Sequence, residues 1–254
     1  MTEDAKKGRE QAKSLLRQIP GAKSRLRQRL LLAAAVSKLL SRKPIVVGGT
    51  AEEYWAGGEY HPTDLDLCPR PSPRDRKALE AVGLRKKGRH WTREDLPVAV
   101  EFPGSGDDIE RTVVLTVSGV SILMISCEDL YLDRLRQATV SWPHEDISFD
   151  AALEIGLTNY ATMDWDYVRR RLRTVISDEG AVGTLMASVN RRVRSRARRA
   201  SLELSAQTRQ LIRETGSRVI RQDAVAIRML EGHDERKAWR AIRRSAAKRR
   251  LSST

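Results

Sequence analysis

Apolar residues follow two rhythms along this chain. Short β-rich runs recur in the first half: Ile45-Val46-Val47, the alternating Asp64-Leu65-Asp66-Leu67, Val98–Phe102, 113–117 (VVLTV) and 120–125 (VSILMI). Runs of this length, bounded by Gly, Pro, Asp and Ser, read as strands. Trp91–Glu94 reads as a further strand, facing 98–102 across a turn at Asp95–Pro97, and Ser118-Gly119 reads as the tight turn of a hairpin. Helical spacing fills most of the rest. Residues 5–18 suggest a weakly amphipathic helix or a mobile tail, broken at Ile19-Pro20-Gly21. Residues 22–42 suggest a firmer helix, with Leu26, Leu30, Leu31, Ala34, Leu39 and Leu40 as its apolar stripe. Further helices are expected over 74–82, closed by Gly83 as a C-cap, over 128–137 with Ser126 as N-cap, over 146–158, and from about Asp164 onward. Beyond Gly180–Gly183 the spacing predicts one or two amphipathic helices ending near Gly232, and a last one around Trp239. Strands and helices are both expected, and the fold class expected is α+β.

The chemistry concentrates in 44–69, PIVVGGTAEEYWAGGEYHPTDLDLCP. A buried strand runs into Gly48-Gly49 and Thr50, followed by a short helix-compatible segment, 51–56, that Gly57-Gly58 break. Glycines at a strand end let a ligand approach the backbone, and N–H groups opening a helix suit phosphate oxygens. In the strand that follows, Asp64 and Asp66 lie on one face and Leu65 and Leu67 on the other. Two acids on one face repel each other. A divalent cation between them removes that cost, and Mg²⁺ takes oxygen ligands of this kind together with substrate phosphates. Taken singly, a Gly-Gly is usually only a turn and an Asp-x-Asp an exposed strand; it is their order that points to a site.

This arrangement resembles the nucleotidyltransferases of the DNA polymerase β-like superfamily, and within it the small prokaryotic branch that includes toxin–antitoxin members. Gly48, Gly49, Thr50, Ala51, Tyr54, Asp64 and Asp66 fill the places of that branch's opening motif, and the likeness extends over about residues 30–175. EDLYLDRLRQ (128–137) and the Asp-Trp-Asp-Tyr at 164–167 resemble later elements of the same family. The resemblance implies a mixed sheet flanked by helices, with Gly48, Gly49 and Thr50 holding an NTP. It implies that Asp64 and Asp66 bind Mg²⁺ or Mn²⁺, and that a third carboxylate comes from a later strand. Glu101, in Val98-Ala-Val-Glu-Phe-Pro, matches that third position. The other reading of Glu101 is an edge-strand glutamate facing water. Asp133-Arg134 reads more simply as local ion pairing on a helix surface than as cleft lining, and Trp165 and Tyr167 as packing residues. The histidines, His61, His90, His144 and His233, lack ligand spacing and receive no role.

Charge and composition limit the partners. The net charge is +14, with 12 Lys/Arg against 3 Asp/Glu in 1–43 and 19 against 6 in 188–254, so the middle of the chain is acidic. Basic ends around an acidic body suit a polyanion such as tRNA or another RNA; Arg-rich, well-solvated helices are the alternative explanation. Two cysteines without paired spacing, Cys68 and Cys127, argue against a disulfide scaffold or a zinc site. No signal peptide or membrane span is visible, and a cytoplasmic protein is expected. The expected organisation is a basic tail or helix over 1–21, a nucleotidyltransferase-like domain over 22–179 and a basic helical extension over 180–254. The implied activity is transfer of an NMP from an NTP to an acceptor hydroxyl: a tRNA 3′ end, a protein, or a small molecule such as an aminoglycoside. A non-catalytic nucleic-acid-binding protein on a degenerate version of the fold is the rival reading. A toxin–antitoxin component acting through a cognate protein is another.

Overall fold

In the computed structural model, which describes residues 3–56 and 62–215, every expected strand joins one seven-stranded mixed sheet. The strands are β1 (Ile45–Val46), β2 (Asp64–Cys68), β3 (Arg85–Lys87), β4 (His90–Thr92), β5 (Ala99–Glu101), β6 (Thr112–Val117) and β7 (Val120–Ile125). Their order across the sheet is β3-β4-β5-β2-β1-β7-β6. The pairs β1–β7 and β2–β5 are parallel and the others antiparallel. The α+β class is therefore as expected. Only β3 is new: Arg85-Lys86-Lys87 has no apolar alternation, and it pairs as an exposed, charged edge, which discourages further strand addition.

Register separates the two faces. Val46 pairs with Leu67 and Met124, Leu65 with Val100, and Val100 with Trp91. All six side chains are buried, so this face is the core. The residues between them, Ile45, Asp64, Asp66, His90, Ala99, Glu101 and Leu123, are only half-buried.

Helix α2 (Arg25–Ser37) packs on the sheet and against α1 (Glu3–Gln18). Its N-cap is Ser24, whose Oγ accepts from the Arg27 N–H at 3.2 Å. The expected stripe on α2 proves too narrow, because 31–36 are buried on every side. The reason is α1: Ala12, Leu15, Leu16 and Ile19 are buried, so this segment is a packed helix and not a tail. Each buried leucine there is worth roughly 1.5–3 kcal/mol.

Contacts divide the described residues into two units, 3–54 with 62–130, and 55–56 with 131–215. The division falls within α5 (Cys127–Ala138), where the sequence reading places a boundary at 180. The second unit holds α6 (Ile147–Thr158), α7 (Trp165–Glu179) and α8 (Ala181–Thr215). Gly180 turns the chain from α7 directly into α8. Gly183 allows the two helices to touch: a Cβ there would lie 2.7 Å from the Val175 carbonyl carbon. Met186, Val189, Val193 and Ala197 bury one face of α8, and the Tyr131 hydroxyl donates to Asn190 Oδ1 at 2.9 Å. The expected extension is thus helical up to Thr215, and it is packed from Met186 to Ala197. Gly232, Trp239, His61, His233 and the Gly57-Gly58 break lie outside the described residues. No helix among the described residues is long and apolar enough to cross a membrane.

Helix α4 (Pro73–Glu80) shows how the first unit is fastened. Ser72 and Asp75 form a reciprocal capping box, and Asp75 also accepts from the Ser41 N–H at 2.8 Å and the Ser41 hydroxyl at 3.1 Å. Gly83 then closes the helix as expected, at φ +89°. Burial alone would push the Asp75 carboxyl up, but these hydrogen bonds outweigh it and hold the group below the usual carboxylate range. Because the folded value is the lower one, the carboxylate's contribution is full above about pH 4 and disappears as the pH falls through that lowered value. Asp75→Ala should cost about 1–3 kcal/mol in urea unfolding at pH 7. The gap between wild type and Asp75→Asn should shrink as the pH is taken from about 5 to about 2.5.

Candidate metal and nucleotide site

Four polar side chains on the open face of the sheet come together through register alone. The parallel pairing of β2 with β5 puts Asp66 beside Glu101 and Asp64 one step away, beside Ala99. The hairpin of β4 and β5 sets His90 opposite Glu101. Neighbours across strands share a face, so Asp64, Asp66, His90 and Glu101 all project to the same side. The three sequence-assigned carboxylates are thus placed on one face, and Glu101 is not a lone edge glutamate.

His90 was not anticipated. Its Nε2 lies 3.4 Å from Asp64 Oδ2 and 3.4 Å from Glu101 Oε2. One donor atom from each of Asp64, His90 and Glu101 lies within 4.8 Å of the others, close enough for one cation to draw them together. Metal–oxygen and metal–nitrogen bonds near 2.1 Å place co-ligands about 3–4.2 Å apart, and both His90 distances of 3.4 Å fall in that range. The residues present therefore fit a divalent ion. Arg89 Nε stands 3.2 Å from Glu101 Oε2. The expected hairpin pointed to the right strands but not the register: a turn confined to 95–97 would set His90 against Phe102, whereas the observed pairing of Trp91 with Val100 sets it against Glu101.

The glycine turn borders this cluster. Helix α3 (Gly48–Trp55) begins at Gly48 itself, earlier than the segment 51–56 read from the sequence. Gly48 has φ +57°, and a Cβ on it would lie 2.8 Å from Asp66 Cγ and clash with the carboxylate. Glycine is required twice over, by the backbone angle and by the Asp66 side chain. Asp66 therefore sits against the start of α3. Gly49 is buried. Thr50 is fully buried, and its hydroxyl donates to the Asp64 carbonyl at 3.4 Å. Its side chain ties α3 to β2.

A buried ion pair holds α3 from behind. Arg29 on α2, 1% exposed, pairs with Glu53 on α3 and donates to the Pro62 carbonyl at 2.5 Å. One guanidinium thereby positions both the helix after the glycine turn and the segment leading into Asp64. Asp133 and Arg134, in the second unit, pair with each other at 3.1 Å and with Gln137, the local ion pairing expected, but Arg134 is buried and does not lie on a helix surface. Trp165 packs edge-on to Tyr131, with centroids 5.6 Å apart.

No protein-family model matches the chain, and no curated protein matches it. Among solved structures, the crystal structure of JHP933 from Helicobacter pylori is similar at 12% identity and a TM-score of 0.35, covering 73% of this chain and 98% of that one. A likeness of that size carries no argument about fold or function.

The close fit between Gly48 and Asp66 can be measured. Gly48→Ala should destabilise the protein by about 2 kcal/mol or more, from the left-handed backbone angle and the clash together. Combined with Asp66→Ala it should cost less than the sum of the single changes, with a coupling of about 1 kcal/mol in chemical unfolding. Additive costs would show that the two do not touch.

Proposed function

We propose that this protein is a divalent-metal-dependent nucleotidyltransferase of polymerase β-like fold, moving an NMP from an NTP to an acceptor hydroxyl. The observation that carries this reading is the convergence of Asp64, Asp66 and Glu101 on the open face of one sheet, beside a glycine turn that opens a helix. Carboxylates massed on one face are costly unless something positive joins them, and a phosphate-seeking helix start next to them suits a metal-bound triphosphate.

In this reading the N–H groups of the first turn of α3, at Gly48, Gly49 and Thr50, hold phosphate oxygens, since a helix leaves its own first N–H groups unused. Asp64 and Glu101, with Asp66 beside them, hold Mg²⁺ or Mn²⁺. Such an ion supplies Lewis acidity, offsetting charge on the phosphates and on the departing pyrophosphate. The acceptor oxygen attacks the α-phosphorus, the bond from that phosphorus to the β-phosphate bridging oxygen breaks, and pyrophosphate leaves with the electron pair. A site carboxylate, Asp66 or Glu101, takes the hydroxyl proton. Arg29 does no chemistry; it keeps the glycine helix and β2 in fixed relation.

Nucleic acid is the acceptor class best supported, through the exposed arginines of α7 and α8, such as Arg170, Arg173, Arg191, Arg198 and Arg199. The decisive experiment supplies each α-³²P-NTP with Mg²⁺ or Mn²⁺ and total cellular RNA plus protein. Wild type should transfer label, and Asp64→Asn/Asp66→Asn should transfer less by on the order of 10²-fold or more while remaining folded. Absence of both transfer and any NTP-dependent thermal shift in wild type would defeat this reading in favour of a nucleic-acid-binding protein.

A further inference from the structure

We propose that His90 is itself a metal ligand, and that Asp64, His90 and Glu101 form a mixed nitrogen–oxygen site that selects a divalent transition ion over Mg²⁺. The inference shares two carboxylates with the reading above and rests on it to that extent. It adds the identity of the ion.

Three observations support it. The first is distance. His90 Nε2 is 3.4 Å from a carboxylate oxygen on either side. Donors bonded at about 2.1 Å to a common ion and separated by 3.4 Å subtend about 110° at that ion, an ordinary angle for transition-metal coordination. The second is placement. His90 owes its position to the β4–β5 register, the same pairing that sets Trp91 against Val100 in the core. Trp91 is 3% exposed and packs there, whereas His90 faces the other way, half-buried among acids, where no packing role accounts for an imidazole. The third is donor chemistry. Imidazole nitrogen suits Zn²⁺, Fe²⁺ and Ni²⁺; Mn²⁺, at the weak end of that transition series, accepts a mixed nitrogen–oxygen set, while Mg²⁺ favours oxygen ligands in a near-ideal octahedron and keeps several waters.

Arg89 fits the same picture. Its Nε donates to His90 Nε2 at 3.3 Å and lies 3.2 Å from Glu101 Oε2, so it stands where an ion would meet both groups, and its side chain is 72% exposed. Such a guanidinium is a mobile counter-charge for Glu101 that a bound cation can replace. Against a purely structural network of His90, Arg89 and the two acids, the ion-site reading makes opposite demands: removing Arg89 should tighten ion binding.

The test uses the full chain without nucleotide and Mn²⁺ as the probe, because its electron spin reports both occupancy and bonded nitrogen. Titration followed by electron paramagnetic resonance should show one Mn²⁺ site, with Mg²⁺ competing at least tenfold more weakly. Pulsed measurements on the wild-type complex should show coupling to a ¹⁴N nucleus, replaced by the ¹⁵N pattern when histidine is ¹⁵N-labelled. His90→Gln should lose that coupling and weaken Mn²⁺ at least tenfold, while changing Mg²⁺ less than threefold. Arg89→Ala should bind Mn²⁺ more tightly. Mn²⁺ bound without nitrogen coupling, equal losses of both ions in His90→Gln, or no Mn²⁺ bound at millimolar concentration would each overturn the proposal. The coupling is read on wild type, so a misfolded variant cannot rescue or spoil the result. Nitrogen-coupled Mn²⁺ without any nucleotide transfer would defeat the nucleotidyltransferase reading alone; transfer without nitrogen coupling would defeat this one alone.

Discussion

The parallel ladder between β2 and β5 is the constraint on which the first unit depends. Asp64, Leu65 and Asp66 pair with Ala99, Val100 and Glu101 in turn. Side chains alternate along a strand, so a slip of one residue would carry Glu101 into the core and Val100 out to solvent. What prevents the slip is burial: Leu65, Leu67 and Val100 are each fully buried on the opposite face. The hydrophobic face thus sets the register, and the register sets the positions of the acids. Packing and chemistry are two readings of the same alternation.

Behind that ladder lies the Arg29–Glu53 pair. Removing two charges from water costs several kcal/mol each, and their attraction recovers this only with good geometry and further hydrogen bonds. Arg29 supplies one of those bonds through the Pro62 carbonyl. A hydrophobic pair of similar volume could hold α2 against α3 as firmly. It could not fix the angle of α3 and the path into β2 at once. We therefore read the pair as setting orientation more than stability. Asp75 plays a comparable part around α4, joining Ser41 and Ser72 through a single carboxylate.

Much of this was legible in the chain. The β-branched runs, the Asp-Leu-Asp-Leu alternation and the turns at Ser118-Gly119 and Gly83 each have one dominant physical cause, and each was found where the residues indicated. His90 was missed because ligand spacing was sought along the sequence, whereas its partners come from two other strands, one of them reached only through a parallel pairing. β3 was missed because a charged edge needs no apolar signal. The full burial of 31–36 was missed because a stripe is read one helix at a time, and the second cover comes from α1. Thr50 was read as a phosphate ligand from its place after two glycines; its hydroxyl goes to the Asp64 carbonyl, a bond that no local pattern announces.

The centre of the sheet has a bearing on how the chain comes to be folded. β1 pairs with β2 on one side and, on the other, with β7, so that Ile45 is neighbour to Leu123. A parallel partner so far along the chain must wait for a large loop to close before it gives any return. On a ribosome, the glycine turn and the Asp-Leu-Asp-Leu strand emerge long before the strand that completes their sheet. Helix α2, which packs on β2 and β7, the two strands that flank β1, precedes all three in the chain. The closing of that long loop, rather than the local Asp-Leu-Asp-Leu strand, is therefore the step that completes the sheet around the acids.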